Sequence, residues 1–219
     1  MAVATAENVG KRFSLEQMLA AREQSWAALR DIASRIAPGM SEPEAIDLAG
    51  ECLAAAGMQR IWHPSIIRFG ENTLKTFRQR STPDTVLAGN DIFFIDLGPV
   101  FDGHEGDVGD TFVVGNDATM HACSVASREL FTRTATRWRE GVTGVALYDY
   151  AGAEAEAMGW RLNHATKGHR VGDYPHALHK AGALGGFDAV PVPGLWILEI
   201  QIAHPTLPIG AFFEDLLMA

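Results

Sequence analysis

Apolar residues recur at helical spacing from Leu15 through Met18, Leu19, Trp26, Leu29 and Ile32 to Ile36, just ahead of Pro38-Gly39. This is the stripe of a helix with one buried face. Ser14 with Gln17 opens that helix in a capping-box pattern. Ser41 with Glu44 opens a second, which carries Ile46, Leu48, Cys52 and Leu53 and closes at Gly57. Apolar runs then predict strands at 65–69, 91–97 and 111–114. Between the first two, residues 72–90 are polar and include Pro83, which predicts a long loop or a hairpin rather than a domain boundary. After Gly115 the order starts again. Asp117 caps a helix running to Glu140, a second helix spans 143–158 with Gly159 closing it, and strands return at 195–203 and 211–217.

The repetition has a fixed spacing. Gly39-Met40-Ser41 and Gly141-Val142-Thr143 stand 102 positions apart, Gly57-Met58 and Gly159-Trp160 again 102, and the caps Ser14 and Asp117 103. Three punctuation points at one offset predict an internal duplication of helix-helix-strand halves, about 14–115 and 117–219. Each half is too small to bury its own sheet, so the pair predicts one α+β domain over 1–219 with a pseudo-two-fold axis.

Composition narrows the function. The chain has 219 residues, 47% hydrophobic and 21% charged, which suits a globular protein with a real core and excludes collagen-like, low-complexity and disordered classes. Eighteen Lys and Arg against 27 Asp and Glu leave a net charge of -9, so no nucleic-acid partner is expected. The apolar stretches carry charges or Gly and fall well short of the roughly 20 residues a bilayer-spanning helix needs, so no membrane partner is expected either. The opening MAVATAENVGKRF has no apolar signal core, and Cys52 and Cys123 make no disulfide framework; the expected compartment is the cytoplasm.

The candidate chemistry lies in acids embedded in apolar strands. Asp96 ends the run Asp91-Ile-Phe-Phe-Ile-Asp96-Leu-Gly98, and Asp107 follows eleven residues later, just before the next strand. Either the two are solvated turn residues, or they face one another on neighbouring strands and demand a cation or a shared proton. Glu199 lies inside Leu195-Trp-Ile-Leu-Glu199-Ile-Gln-Ile, where alternation puts it opposite to Trp196, Leu198 and Ile200; Glu214 lies inside Ala211-Phe-Phe-Glu214-Asp-Leu-Leu. The offset of 103 carries Asp96 onto Glu199, so the two halves present acids at equivalent positions. His164, His169, His176 and His179 cluster between them. Four carboxylates with one or two imidazoles suit a paired site for Mn²⁺, Co²⁺, Fe²⁺ or Zn²⁺.

The order Asp96, Asp107, Gly168-His169-x-Val-Gly172-x-x-x-His176, Glu199, Glu214 resembles the pita-bread metallohydrolases, which include methionine aminopeptidase, prolidase, aminopeptidase P and creatinase. The resemblance spans essentially the whole chain and implies a single catalytic domain of duplicated halves around a curved antiparallel sheet. It implies two divalent metal ions. Asp96 would chelate one, Asp107 and Glu214 would bridge both, and His169 and Glu199 would complete the shell of the same metal. The fifteen residues from Glu199 to Glu214 are closer to the prolidase and aminopeptidase P branch. Two metals can hold a bridging hydroxide and polarise an amide carbonyl, with Glu199 shuttling a proton to the leaving amine and His176 donating to the carbonyl or tetrahedral oxygen. A homodimer is expected on the same resemblance.

Several positions depart from that pattern. After Gly70-Glu71-Asn72, Phe77 takes the place of a His that helps hold substrate, and His63 or Lys75 are the candidate substitutes. Arg170 follows the ligand His where Gly is usual, the run after Asp107 reads Val-Gly109-Asp110-Thr111, and Phe212 replaces an Arg two before Glu214. These positions are expected to shape the substrate pocket. Three readings stand: a metallopeptidase of the Xaa-Pro aminopeptidase or dipeptidase type acting on short peptides; a creatinase-like enzyme on a small non-peptide C–N substrate, with Arg170 recognising a carboxylate; or a catalytically silent binding module. Trp26, Trp138, Phe131 and Leu130 are expected to be helix core residues, and Arg128, Arg133, Arg137 and Arg139 a solvated helix face.

Overall fold

Each expected helix forms behind its expected cap. In this computed structural model, which describes residues 6–219, α1 (Leu15–Arg35) starts with the Ser14 side chain accepting from Gln17 N. The opening of the MAVATAENVGKRF stretch lies outside the described residues. Only half of that first capping box forms, because the Ser14 amide donates instead to His104 Nε2 at 3.0 Å. α2 (Glu42–Ala55) has the complete Ser41/Glu44 box and Pro43 in its first turn, where a missing N–H costs nothing. Asp117 accepts from Thr119 N and Met120 N to open α3 (Ala118–Arg139), and Thr143 accepts from Ala146 N to open α4 (Gly144–Ala157).

The strands are β1 (Arg60–Phe69), β2 (Asp91–Phe101), β3 (His104–Glu105), β4 (Val108–Val114), β5 (Arg161–Leu162), β6 (His169–Arg170), β7 (Trp196–Ala203) and β8 (Gly210–Leu216). They form one open eight-stranded sheet in the order β1-β2-β4-β8-β7-β5, with β3 on β2 and β6 on β7; every pairing is antiparallel. The order helix, helix, strands occurs twice, and the two sets meet at the β4–β8 pairing in mid-sheet. Between β1 and β2 the chain makes a 3₁₀ turn, Gly70–Leu74, and then a loop rather than a hairpin, tied back to α2 by the Ser41–Val86 bridge. Buried Asn72 anchors this loop: its amide donates to Glu42 Oε1 at 2.8 Å and its carbonyl accepts from Thr82 N.

Helices cover one face of the sheet. Leu29, Ile32, Ala45 and Leu53 pack on Phe93, Ile95, Leu97 and Val108 in the first half, and Leu130, Trp138, Leu147 and Tyr148 pack on Leu198, Ile200 and Ile202 in the second. Full burial of one such aliphatic side chain contributes about 1.5–3 kcal/mol, so the alternate residues that face these helices fix which way every strand is turned. Asp215 points to the helix side and is paired there with Arg22 of α1, Nε to Oδ1 at 2.6 Å. Among the described residues no helix is long and apolar enough to cross a membrane.

Candidate metal centre

Strand register assembles the acids. On the face away from α1–α4, Ile66 of β1 pairs with Asp96 of β2, Asp96 with Gly109 of β4, Gly109 with Glu214 of β8, and Glu214 with Glu199 of β7. Direct cross-strand partners share a face, so these residues form one row across five strands. Asp107 stands two residues before Gly109 and so shares its side. His169 pairs with Ile197, two residues before Glu199, and His63 pairs with Gly98, two after Asp96. All five expected ligand residues therefore converge, and His63 converges with them.

Gly109, in the middle of the row, lets Phe212 and Glu214 pack directly over the backbone. A Cβ there would come 2.5 Å from the Phe212 ring and 3.0 Å from Glu214 Oε1. Gly168 is required for a different reason: its φ is +63° and a Cβ would meet Ile197 O at 2.3 Å, while its amide donates to Glu199 Oε2 at 2.6 Å. That bond holds the Glu199 carboxylate beside His169.

Asp107 is the hub. Its Oδ2 lies 2.9 Å from His169 Nε2 and its Oδ1 3.3 Å from His63 Nε2, which in turn lies 3.5 Å from Asp96 Oδ1. Burial works against charge on Asp107, but His169 and His63 hold its carboxyl down to about 2. Burial also disfavours the imidazolium of both rings; Asp96 and Asp107 nevertheless raise His63 to about 9, and Asp107 with Glu199 raises His169 to about 10. Glu214 is pushed well above the usual carboxylate range by burial and then by Asp107, Asp96 and Glu199. Burial likewise raises Asp96 and Glu199, although His63 and His169 respectively oppose the shift.

The donor set fits a divalent cation on its own geometry. Asp96 Oδ1, Asp107 Oδ2 and Glu214 Oε1 are buried with no aligned hydrogen-bond donor among the described residues. A buried acceptor left unsatisfied costs about 1–3 kcal/mol, and more when charged. His63, Asp96 and Asp107 bring one donor atom each within 4.8 Å of one another, and so do Asp107, His169 and Glu214. Carboxylate oxygens with imidazole nitrogens are the hard-to-borderline set of Mn²⁺, Co²⁺, Fe²⁺ and Zn²⁺.

A cavity of about 250 Å³ opens over these groups, walled by Trp62, Pro64, Ile66 and Phe77 and floored by His63, Asp96, His169, Glu199 and Glu214. Trp62 stands edge-on among three imidazoles, with ring centroids 4.3 Å from His63 and 5.2 Å from both His169 and His176, and its Nε1 donates to Gly106 O. His176 is held from behind by Glu105, which accepts from its backbone N and approaches its Nδ1 at 2.6 Å, and which also takes the Gly172 amide. Glu105 is fully buried and was not among the residues singled out by sequence. Its signal is faint, since it sits on a two-residue strand with no alternation to read.

Some expected pocket residues turn elsewhere. Arg170 is buried against Trp196, and its guanidinium donates to the carbonyls of Leu195, Ala6 and Asn8, so it is not available to a substrate carboxylate. The cause is alternation: His169 faces the site, hence its neighbour faces away. Asp110 also points to the helices, pairing with Arg128 at 2.7 Å, while Arg128 itself stays partly exposed. Lys75 donates to Thr82 Oγ1 rather than toward the acids. Gly109, Phe77 and Phe212 do shape the site region; Phe77, 62% exposed, lies at the rim, and Phe212 packs on Phe94 beside it. Of the clustered histidines, His169 reaches the centre and His176 lies beside it, with ring centroids 6.3 Å apart, whereas His164 is an exposed residue beside Gly152 of α4.

A family model described as metallopeptidase family M24 matches residues 16–217. A comparison with curated protein sequences returns no match. Among solved structures, the chain is similar to methionine aminopeptidase from Thermotoga maritima, with 18% identity, TM-score 0.77, 94% of this chain and 92% of that chain. It is similar to the prolidase from Pyrococcus horikoshii OT3, with 20% identity, TM-score 0.78, 99% of this chain and 62% of that chain. It is also similar to Escherichia coli aminopeptidase P, with 17% identity, TM-score 0.71, 91% of this chain and 52% of that chain. The chain thus spans less than two thirds of the prolidase and aminopeptidase P structures and nearly all of the methionine aminopeptidase.

Proposed function

Because the chain belongs to metallopeptidase family M24 and has the pita-bread fold of its structural neighbours, we propose that it is a hydrolase holding two divalent cations and cleaving the amide bond of a short peptide. The observation that carries this reading is the convergence of Asp96, His169, Glu199 and Glu214 at one cavity with buried Asp107 against His169 and His63 beneath it, where three of the acids' buried oxygens have no aligned hydrogen-bond donor among the described residues. Asp96 would hold one cation, Asp107 and Glu214 would span both, and His169 with Glu199 would complete the second set. Cations bound there supply Lewis acidity and lower the pKa of water.

The remaining steps fall to side chains of this chain. Glu199, fixed by the Gly168 amide, takes the proton of the attacking water and passes it to the leaving amine. His176, fixed by Glu105, stabilises the developing oxyanion. Trp62, Ile66 and Phe77 keep bulk water from one side of the carbonyl and favour an apolar residue there.

The neighbours named prolidase and aminopeptidase P favour an Xaa-Pro type of peptide. Incubation of the Mn²⁺- or Co²⁺-loaded protein with Xaa-Pro and other short peptides, with and without chelator, tests the reading. Metal-dependent release of an amino acid, abolished by Glu199→Gln, is expected; a protein loaded with two ions that cuts no peptide would contradict it. A second reading, a small non-peptide C–N substrate, is favoured by one observation: Phe77 puts an apolar ring at the rim. Arg170, buried on backbone carbonyls, gives that reading no support.

A further inference from the structure

Asp107 faces an imidazole on each side. His169, from the second half of the chain, lies 2.9 Å from Oδ2, and His63, from the first half, lies 3.3 Å from Oδ1. The likeness extends to the far side of each ring. His169 Nδ1 contacts the carbonyl of the next residue, Arg170, at 2.9 Å, and His63 Nδ1 contacts the carbonyl of its next residue, Pro64, also at 2.9 Å. A backbone carbonyl on one ring nitrogen fixes the tautomer and turns the lone pair of the other toward a metal, the arrangement that ligating histidines commonly show.

The backbone is shaped to admit the His63 ring. The β1–β2 register shifts between Ile61 and His63 and again between His63 and Ile66, an irregularity of the kind that re-aims a side chain. Opposite it stands Gly98, where a Cβ would come 2.2 Å from His63 Cδ2, so the ring occupies the space that any larger residue would fill. It is aimed at Asp96 Oδ1, which lacks an aligned donor among the described residues, and at Asp107, whose side chain is fully buried.

We propose, resting on the two-cation reading above, that His63 is itself a metal ligand, completing a His63–Asp96–Asp107 set for one cation as His169–Asp107–Glu214 serves the other. Each cation then has an imidazole nitrogen, one from each half of the chain. Nitrogen at both positions moves the centre's preference from Mn²⁺ toward Co²⁺, Fe²⁺ or Zn²⁺.

The test is titration of the metal-free protein with Co²⁺, alone and against Mn²⁺, counting bound ions and recording the visible cobalt bands for wild type, His63→Ala and Gly98→Ala. Wild type is expected to take up two Co²⁺. In His63→Ala one Co²⁺ should bind at least tenfold more weakly, roughly the 10–100-fold scale of a lost supporting contact, with its band altered and the Co²⁺-over-Mn²⁺ preference reduced. Gly98→Ala keeps the imidazole but displaces it, and should show the same loss in a protein whose circular dichroism is unchanged. A His63→Ala protein that binds two Co²⁺ as tightly and as selectively as wild type would overturn the proposal, as would equal weakening of both ions with no change in preference. Wild type that binds no Co²⁺ would instead refute the two-cation reading and this inference with it.

Discussion

Replacing Glu214 by Gln should separate folding from function in opposite directions. Glu214 Oε1 is buried with no aligned donor among the described residues, and burial, then its neighbours Asp107, Asp96 and Glu199, push its carboxyl well above the usual range. A carboxyl whose folded pKa lies above its unfolded value costs stability at every pH above the unfolded value. Gln is nearly isosteric, carries no charge and can donate its amide to Asp96, whose carboxylate is one of the charges that raise Glu214. Relief of one unsatisfied buried oxygen is about 1 kcal/mol, which for a chain of this size raises Tm by about 2–4 °C. With metal the balance reverses, because each cation at a hundred times its Kd stabilises the folded state by about 2.7 kcal/mol. Thermal melts in chelator and in saturating Mn²⁺ or Co²⁺ provide the assay. Glu214→Gln should melt at or above wild type in chelator and below it in metal. A variant that melts several degrees lower in chelator, or that gains as much from metal as wild type, would refute the reasoning.

Four further outcomes follow. Burial disfavours the imidazoliums, but Asp96 and Asp107 raise His63 to about 9, and Asp107 and Glu199 raise His169 to about 10. A cation needs neutral rings, so uptake near neutral pH must release protons and affinity should rise with pH by about tenfold per unit for each proton released, until those pKa values are passed. Calorimetry in buffers of different ionisation heat checks this, and a pH-independent affinity would contradict it. For the metal-free fold the sign is opposite: the raised imidazoles stabilise fully below about pH 6.5 and that contribution fades through pH 9–10, so chelated protein should melt lower in alkali. Arg170→Ala strands the carbonyls of Leu195, Ala6 and Asn8 and should lower stability by about 1–3 kcal/mol while leaving KM for carboxylate-bearing substrates unmoved. Phe77→His puts a donor at the rim of the cavity and should raise peptide turnover by about 10²-fold; unchanged turnover would place the rim too far from the carbonyl.

The sequence was most informative where local chemistry sets structure. Ser41, Asp117 and Thr143 each cap the helix they precede, and Gly57, Gly141 and Gly159 take the positive φ that closes helices and turns. The acids were legible because a carboxylate in an apolar strand needs a reason to be there. What escaped depends on register between distant strands. Gly98 and Gly109 act through what stands opposite them, and the approach of His63 to Asp107 follows from irregular pairing in β1. Arg170 was misplaced because β6 is two residues long, too short to show in sequence that its alternate residue faces the core. Glu105 was missed for the same reason.

The most direct measurement is the metal content per chain by elemental analysis, after purification without chelator and again after Mn²⁺ equilibration, with Asp107→Ala alongside. Asp107 offers one oxygen to each imidazole and is the residue both donor sets share. The account predicts about two ions per wild-type chain and their loss in the variant; wild type with essentially no metal, or a variant that keeps both ions, would contradict it.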